Sequence, residues 1–198
     1  MGHATSRIAF LAGIAAVLAI PAAATTSNWQ IDPAHSSAQF SVRHLGISTV
    51  RGAFTSVKGT VAIDDKDVTK SSVEVTIDVS SVDTRVPDRD KDLRSDHFFD
   101  ADHFATITFK SKRVEQVAPG KLRVLGDLTI HGTTKEVSLD VDGPSAPIKD
   151  PWGNQRMGIN ASTKISRQDF GVGAKYPAAM IGDEISIVID SEIFQKTK

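Results

Sequence analysis

The sequence of 198 residues contains no cysteine. This absence excludes disulfides, a thiolate nucleophile, a cysteine-based metal site and a lipid-modified N-terminal cysteine. A charge excess is missing too, because 23 Lys and Arg residues stand against 24 Asp and Glu residues. That balance argues against a nucleic-acid-binding protein and against an acidic tail for a basic partner. A chain of this length forms one domain, or at most two small ones.

The sequence also lacks the short motifs of common catalytic sites. GxSxG, GxGxxG, HExxH and the P-loop pattern do not occur. Ser, His and Asp are plentiful, but nothing in their order selects a catalytic triad. A paired-carboxylate hydrolase stays open, because folding alone would bring its two carboxylates together. The sequence therefore predicts no catalytic residue and no cofactor.

A long apolar run occurs only at the start of the chain. Arg7 precedes the apolar residues 8–20, and three alanines that end at Ala24 follow closely. A basic residue, an apolar run and small residues in this order are typical of a secretory signal peptide. The run is shorter than the roughly 20 residues of a membrane-spanning helix. We therefore predict a signal peptide over residues 1–24 and an exported domain over residues 25–198 without stable membrane insertion.

Beyond this leader, apolar and polar residues alternate in short stretches separated by turn residues. A period of two marks half-buried strands, and the sequence shows no long amphipathic helix. A bulge is expected near Thr55 and Ser56, where the phase changes. His131 and Gly132 form a two-residue hairpin signal. The eight predicted strands span residues 37–44, 57–63, 73–79, 106–111, 122–130, 137–141, 157–165 and 185–193.

Eight antiparallel strands, each with one apolar and one wet face, can close into a barrel without exposed edges. Such a barrel is either filled by side chains or wide enough for one small ligand. The predicted fold class is therefore all-β, an eight-stranded antiparallel barrel with short helical or irregular cap segments. A sandwich of two sheets is the alternative that the pattern leaves open.

Two stretches, residues 87–105 and residues 169–182, lack the strand pattern. The first begins with charged residues and continues with aromatic ones, and we interpret it as a cap over one end of the closed sheet. The second is rich in Gly and Ala. Their large apolar side chains either gate the mouth of the barrel or simply plug its end. These side chains are Phe98, Phe99, Phe104, Tyr176 and Met180.

The first of these stretches also holds the best metal-ligand candidates. Imidazoles and carboxylates suit zinc and similar ions, but the spacing here matches no standard ligand set. A solvated or hydrogen-bonded structural cluster is the favoured interpretation, so we predict no metal site. The cluster consists of Asp96, His97, Asp100, Asp102 and His103.

Four segments together resemble a known family. They are WQIDPAHSSAQFSVRHLGISTVRGAF at 29–54, RDKDLRSDHFFDADHFATITF at 89–109, GDLTIHGTTKEVSLDV at 126–141 and RQDFGVGAKYPAAMIGDEI at 167–185. In this order they resemble the YceI-like family of lipocalin-like, polyisoprenoid-binding periplasmic proteins. The resemblance implies a lipocalin-like barrel with a long apolar lumen for an isoprenoid or fatty-chain molecule. It also implies a periplasmic location, and in some members a homodimer. Asp92 and Ala105 depart from the family, which often has His and Pro there.

Under this resemblance the apolar strand faces and the cap aromatics form the ligand-binding surface. The expected function is that of a carrier for an amphipathic lipid, such as a polyisoprenoid, a quinone precursor or a fatty-chain molecule. The alternatives are a small-molecule hydrolase or isomerase that uses cap His and Asp residues, and a stress-related structural module with a filled barrel. The predicted ligand-binding residues are Phe40, Val42, Val75, Ile77, Phe98, Phe99, Phe104, Ile107, Phe109, Val124, Leu128, Leu139, Met157, Ile159, Tyr176, Met180 and Ile187.

Overall fold

The computed structural model describes residues 1–2 and 26–196. The predicted signal peptide and its cleavage position near Ala24 therefore lie, apart from the first two residues, outside the described part. Within that part, no helix is both long and apolar enough to cross a membrane. The regular elements are β1 (Thr26–His44), β2 (Ser48–Phe54), β3 (Val57–Asp64), β4 (Ser72–Asp78), β5 (Val82–Asp83), α1 (Pro87–Arg94), β6 (Thr106–Ala118), β7 (Lys121–Ile130), β8 (Thr133–Asp142), β9 (Ile148–Lys149), β10 (Gln155–Ser166) and β11 (Ile181–Gln195).

Eight of these strands close into an antiparallel barrel in the order β1, β3, β4, β6, β7, β8, β10, β11. The ring closes where β11 pairs with β1, with Ile187 opposite Phe40 and Ile189 opposite Ala38. Short β5 pairs with β2, and short β9 pairs with β10. The predicted eight-stranded barrel is confirmed. Seven of the eight predicted strands lie within one barrel strand each, and the eighth, residues 73–79, runs one residue past the end of β4 at Asp78.

Strand β1 is much longer than its alternation predicts. The sequence indicates a strand over residues 37–44, whereas β1 begins at Thr26 and runs for 19 residues. Its first residues pair with β3, and its last residues pair with β2 on one side and β11 on the other. The register with β11 shifts between Ile31 and Ser36. Pro33 lies in this interval and cannot donate to a ladder, so the break conceals the strand that precedes it.

The sequence predicts the position of one chain irregularity but not its kind. Strand β2 ends at Phe54 and β3 begins at Val57, so Thr55 and Ser56 separate two strands where a bulge was expected. His131 and Gly132 have φ values of 50° and 71°. Two positive φ angles are what a type I′ turn requires, and the predicted β7–β8 hairpin is therefore confirmed.

Residues 87–105 form the predicted cap at the end of the barrel where β6 begins. Helix α1 starts at Pro87, a residue that suits the first helical position. Its buried Asp90 accepts a 2.8 Å hydrogen bond from the backbone N–H of Thr84. Arg89 donates to the Thr84 hydroxyl over 2.8 Å and to the Thr84 carbonyl over 2.9 Å. These bonds fasten α1 to the chain that leaves β5.

Candidate functional site

The barrel encloses a cavity of about 270 Å³, to which all eight barrel strands contribute. Residues 87–105, the first cap, and residues 169–182, here called the second cap, also contribute to its wall. A single ordered water needs only about 10–15 Å³ measured in this way, so the space is far larger than a packing defect. Its wall is almost entirely aliphatic and aromatic. An apolar space of this kind accepts an apolar ligand.

Most of the predicted ligand-binding residues lie on the wall of this cavity. The strand residues among them are there because alternate residues of a strand point to the same face, and the barrel turns that face inward. Phe98 and Phe99 reach the wall from the first cap. Contact with a ligand stays a prediction for each of them. The residues are Phe40, Val42, Val75, Ile77, Phe98, Phe99, Ile107, Phe109, Val124, Leu128, Leu139, Ile159 and Ile187.

Four predicted residues lie elsewhere. The Phe104 ring packs edge-on against His131, with ring centroids 4.6 Å apart. Met157 packs against the buried cluster at the barrel end opposite the caps. Tyr176 lies against the ring of Phe98, and Met180 is 43% exposed. Periodicity gives the face of a strand, but it does not report where along the strand of Met157 the cavity ends or how a cap side chain turns.

Arg167 is a wall residue that the sequence analysis missed. It is 4% exposed and borders the cavity at the capped end. Burial lowers the pKa of its guanidinium, and the charge of Asp183 only partly offsets that effect. The left-handed turns at Gly171 and Gly173 lie in the chain that surrounds the guanidinium.

All five N–H donors of Arg167 are used by backbone carbonyls of the second cap. The residue therefore fixes this cap by hydrogen bonds and leaves no donor for a ligand. The acceptors are the carbonyl oxygens of Val172 at 3.0 Å, Gly173 at 2.7 Å, Tyr176 at 2.6 Å, Ile181 at 2.9 Å and Gly182 at 3.2 Å.

A second cluster that sequence reasoning missed lies outside the cavity and centres on Arg156. Its guanidinium donates to Asp32 over 2.6 Å, to Asp150 over 2.8 Å and to Glu192 over 3.0 Å. The hydrogen bond from Arg156 lowers the pKa of Asp32 to about 2. Burial would raise the pKa of Asp150, but the hydrogen bonds from Arg156 and Asn154 hold it below its usual range. The network ties β1 to the loop before β10.

Three members of this region have the chemistry of metal ligands. The donor atoms of Asp32, His35 and Glu192 lie within 4.8 Å of one another. Arg156 Nη1, however, already lies 2.6 Å from Asp32 and 3.0 Å from Glu192. The guanidinium thus occupies the place that a cation would take, and the cluster is an ion-pair network.

The His and Asp residues of the first cap form two separate pairs. His97 Nδ1 lies 2.7 Å from Asp92, and His103 Nδ1 lies 2.9 Å from Asp100. The hydrogen bond to Asp100 raises the pKa of His103. Both imidazoles are exposed, and neither lies on the cavity wall as the described residues define it. These pairs hold turns of the cap in place.

Among neighbouring barrel strands, β8 and β10 share the shortest backbone pairing. These strands pair only from Asn160 opposite Asp142 to Ser162 opposite Asp140. Nearer the caps, the hydroxyl of Thr163 donates to the carbonyl of Ser138 over 2.8 Å. We call this incompletely paired stretch, residues 133–139 facing 163–166, the seam.

Comparison with known proteins agrees with this architecture. A family model described as the YceI-like domain matches residues 29–193. A UPF0312 protein of Vibrio cholerae is 38% identical over 177 residues, which cover 88% of this chain and 93% of that protein. A UPF0312 protein of Vibrio parahaemolyticus is 36% identical over 180 residues, which cover 90% and 95%.

Solved structures share the fold. The YceI protein of Campylobacter jejuni has a TM-score of 0.70 at 30% identity, covering 78% of this chain and 90% of that chain. A polyisoprenoid binding domain from Saccharophagus degradans, implicated in plant cell wall breakdown, has a TM-score of 0.62 at 17% identity. That likeness covers 83% of this chain and 97% of the other.

Proposed function

This chain belongs to the YceI-like family, and on that basis we propose that it binds an amphipathic lipid in the barrel cavity and carries it. The ligand classes are a polyisoprenoid, a quinone precursor or a fatty-chain molecule. The observation that carries the proposal is the cavity of about 270 Å³ with an aliphatic wall inside a closed barrel. The ligand named for the Saccharophagus degradans domain is of the class that such a wall accepts.

The wall can supply the affinity without a charged anchor. Each buried CH₂ group contributes about 0.8 kcal/mol. Ten carbons therefore contribute up to roughly 8 kcal/mol before entropic costs, which corresponds to about micromolar binding. Arg167 is the charged residue on the described wall, and its donors are engaged by carbonyls. We infer that the tail lies inside the barrel and that the polar head group lies at a mouth.

We further propose a periplasmic location, which rests on the leader pattern of residues 1–24. Mass spectrometry of the exported protein would give its N-terminus. A start close to Thr25 supports export with cleavage, and an intact Met1 contradicts it. Mass spectrometry under native conditions also gives the oligomeric state, for which the family resemblance leaves a homodimer open.

The enzyme alternative depends on the cap imidazoles. Both His97 and His103 lie off the cavity wall and pair with local carboxylates, which favours a binding role. Replacing both with Gln separates the two functions. The carrier proposal expects lipid binding to persist, whereas an enzyme of this type would lose its turnover.

The first experiment is native mass spectrometry of the gently purified protein, followed by organic extraction of the same sample. A discrete added mass that extracts as an isoprenoid or fatty-chain lipid is the expected result. If the protein is purified without a lipid, titration with a fluorescent fatty acid decides. Saturable one-to-one binding supports the carrier, and no binding contradicts it.

Two substitutions at neighbouring positions of β4 then test whether the lipid binds inside the barrel. Val75 lines the cavity, whereas its neighbour Thr76 is exposed on the outer face. Val75→Trp fills the cavity and is expected to abolish binding of the fluorescent fatty acid. Thr76→Trp adds the same side chain outside and is expected to leave it unchanged. Equal effects of the two changes would place the ligand somewhere other than the lumen.

A further inference from the structure

The β1–β2 hairpin carries exposed apolar residues that the cavity does not use. Leu45 is 52% exposed and Ile47 is 80% exposed. Met180, 43% exposed, lies beside them, because its carbonyl accepts a 2.9 Å hydrogen bond from the Leu45 N–H. We call Leu45, Ile47 and Met180 the apolar tip. It lies at the capped end of the barrel, where β1 turns into β2.

The backbone conformation at Leu45, in the apolar tip, is unfavourable for a leucine side chain. Leu45 has a φ of 52°, in the left-handed region where a bulky side chain is strained and Asn is tolerated much better. The same side chain is also largely in water. An exposed leucine in a strained position lowers stability, so such an outlier points to a function outside the fold itself.

Three cations without carboxylate partners in the described part of the chain lie on the hairpin and in residues 169–182, the second cap. Arg43 donates to Thr49 Oγ1 over 2.9 Å and to the Gly46 carbonyl over 2.7 Å, which holds its guanidinium over the hairpin. Arg51 is exposed on the partner strand, and Lys175 lies over the ring of Tyr176. Among the described residues, none of these three cations forms an ion pair with a carboxylate.

The charge pattern differs on the barrel wall. There Lys110 pairs with Glu74 over 2.6 Å and Lys112 pairs with Asp127 over 2.7 Å. By contrast, residues 33–63, which include β2 and the part of β1 that pairs with it, contain neither Asp nor Glu. The hairpin itself therefore carries basic residues and no acidic ones beside its exposed apolar side chains.

We propose that the apolar tip docks the protein on an anionic phospholipid surface. Apolar side chains that enter the interfacial region, together with nearby Lys and Arg residues, are the combination that binds such membranes. This inference goes beyond lipid binding in the cavity and does not depend on it. Docking would bring the capped end of the barrel against the bilayer.

The opposite end of the barrel offers a matched control. Ile148 is 64% exposed and Trp152 is 81% exposed. Their neighbourhood has mixed charge, because Asp150 binds Arg156 and Lys121 pairs with Asp142. If exposed apolar area alone caused membrane binding, this end would bind equally well.

The experiment is co-sedimentation of the protein with phosphatidylcholine vesicles, with and without phosphatidylglycerol. Leu45→Asn removes the apolar side chain at a φ that suits Asn, so the variant is expected to fold at least as stably as the parent. Ile47→Asn tests the second position. Trp152→Ser is the control. All proteins share one N-terminus, verified by mass spectrometry, so any contribution of residues 1–25 is common to all.

The expected result is binding that requires phosphatidylglycerol, weakens with salt and falls about tenfold in each tip variant, while Trp152→Ser binds like the parent. The proposal fails if the parent does not sediment with anionic vesicles, or if Trp152→Ser loses binding and the tip variants keep it. A concentration-dependent dimer that Ile47→Asn abolishes, without vesicle binding, would instead assign the tip to a second copy. Cargo binding is measured separately by the fluorescent fatty acid, so failure of either function is seen by itself.

Discussion

Tyr176 stacks on Phe98, with ring centroids 5.1 Å apart and an angle of 15° between the ring planes. One residue belongs to each cap, so the stack joins the two segments that cover one end of the cavity. Tyr176 itself is not on the described cavity wall, whereas Phe98 is. The pair therefore couples the position of a wall residue to the second cap.

Breaking this stack is expected to loosen the covered end. An aromatic pair contributes about 0.5–1.5 kcal/mol beyond its buried area. Tyr176→Leu should therefore lower the free energy of unfolding by about 1 kcal/mol and speed release of a bound fluorescent fatty acid in stopped-flow measurements. Tyr176→Phe keeps the ring and should behave like the parent. An unchanged release rate in Tyr176→Leu would show that cargo leaves by another route.

Arg167 holds the second cap, and its removal is expected to be severe. Arg167→Met keeps much of the side-chain length but leaves carbonyls without donors, at a cost of about 3 kcal/mol. Arg167→Lys should recover only part of this loss, because an ammonium has three donors and lacks the planar fork. Urea unfolding gives both values. A loss below about 1 kcal/mol in Arg167→Met would contradict the role derived from its five hydrogen bonds.

Asp32 makes the free energy of unfolding depend on pH in the acidic range. Its folded pKa of about 2 lies below the ordinary value of 3.8 because of the hydrogen bond from Arg156. A lowered folded pKa gives stability that is present above the unfolded pKa and is lost as the pH falls through the folded pKa. The difference in unfolding free energy between the parent and Asp32→Asn should therefore shrink by about 2 kcal/mol between roughly pH 5 and pH 2. A difference that stays constant over this range would rule out the linkage.

Gly126 makes room for a cavity side chain. A Cβ atom built there would lie 2.6 Å from Cζ of Phe109 and would also overlap the Lys110 carbonyl. Gly126→Ala should thus lower stability by about 1–3 kcal/mol and weaken binding of the fluorescent fatty acid, because the Phe109 ring must move. Gly158→Ala is the matched control in another barrel strand, since its nearest neighbour would be Ser145 Oγ at 3.9 Å. Equal thermal melting shifts for the two variants would contradict this account.

Strand faces were predictable where one face is buried and the other is wet. In β7, buried Leu122, Val124, Leu128 and Ile130 follow the period of two that the sequence shows. The first part of β1 was not predictable, because Pro33 and the register shift interrupt its pattern. The barrel itself follows from eight such strands that need to cover their edges.

The polar contacts between distant residues could not be predicted from the sequence. Arg156 and Asp32 are 124 positions apart, and no local pattern indicates that they meet. In the first cap, neighbouring His and Asp residues indicated a solvated or hydrogen-bonded structural cluster, but the sequence did not show which residues pair. The left-handed turn at Asp100 and the separate pairing of His97 and His103 divide them. Closeness in sequence does not fix direction outside a helix or strand.

The seam between β8 and β10 offers the proposed lipid a route into the barrel other than through its ends. Few ladder hydrogen bonds hold these strands together, so widening the wall there requires little backbone rearrangement. Val137, Leu139 and Ile165 border the cavity beside this line and are only half-buried. If the proposed lipid enters the barrel along the seam, its tail does not have to thread through a mouth, and part of a long tail can lie outside. The height of the barrel then does not limit the length of the tail.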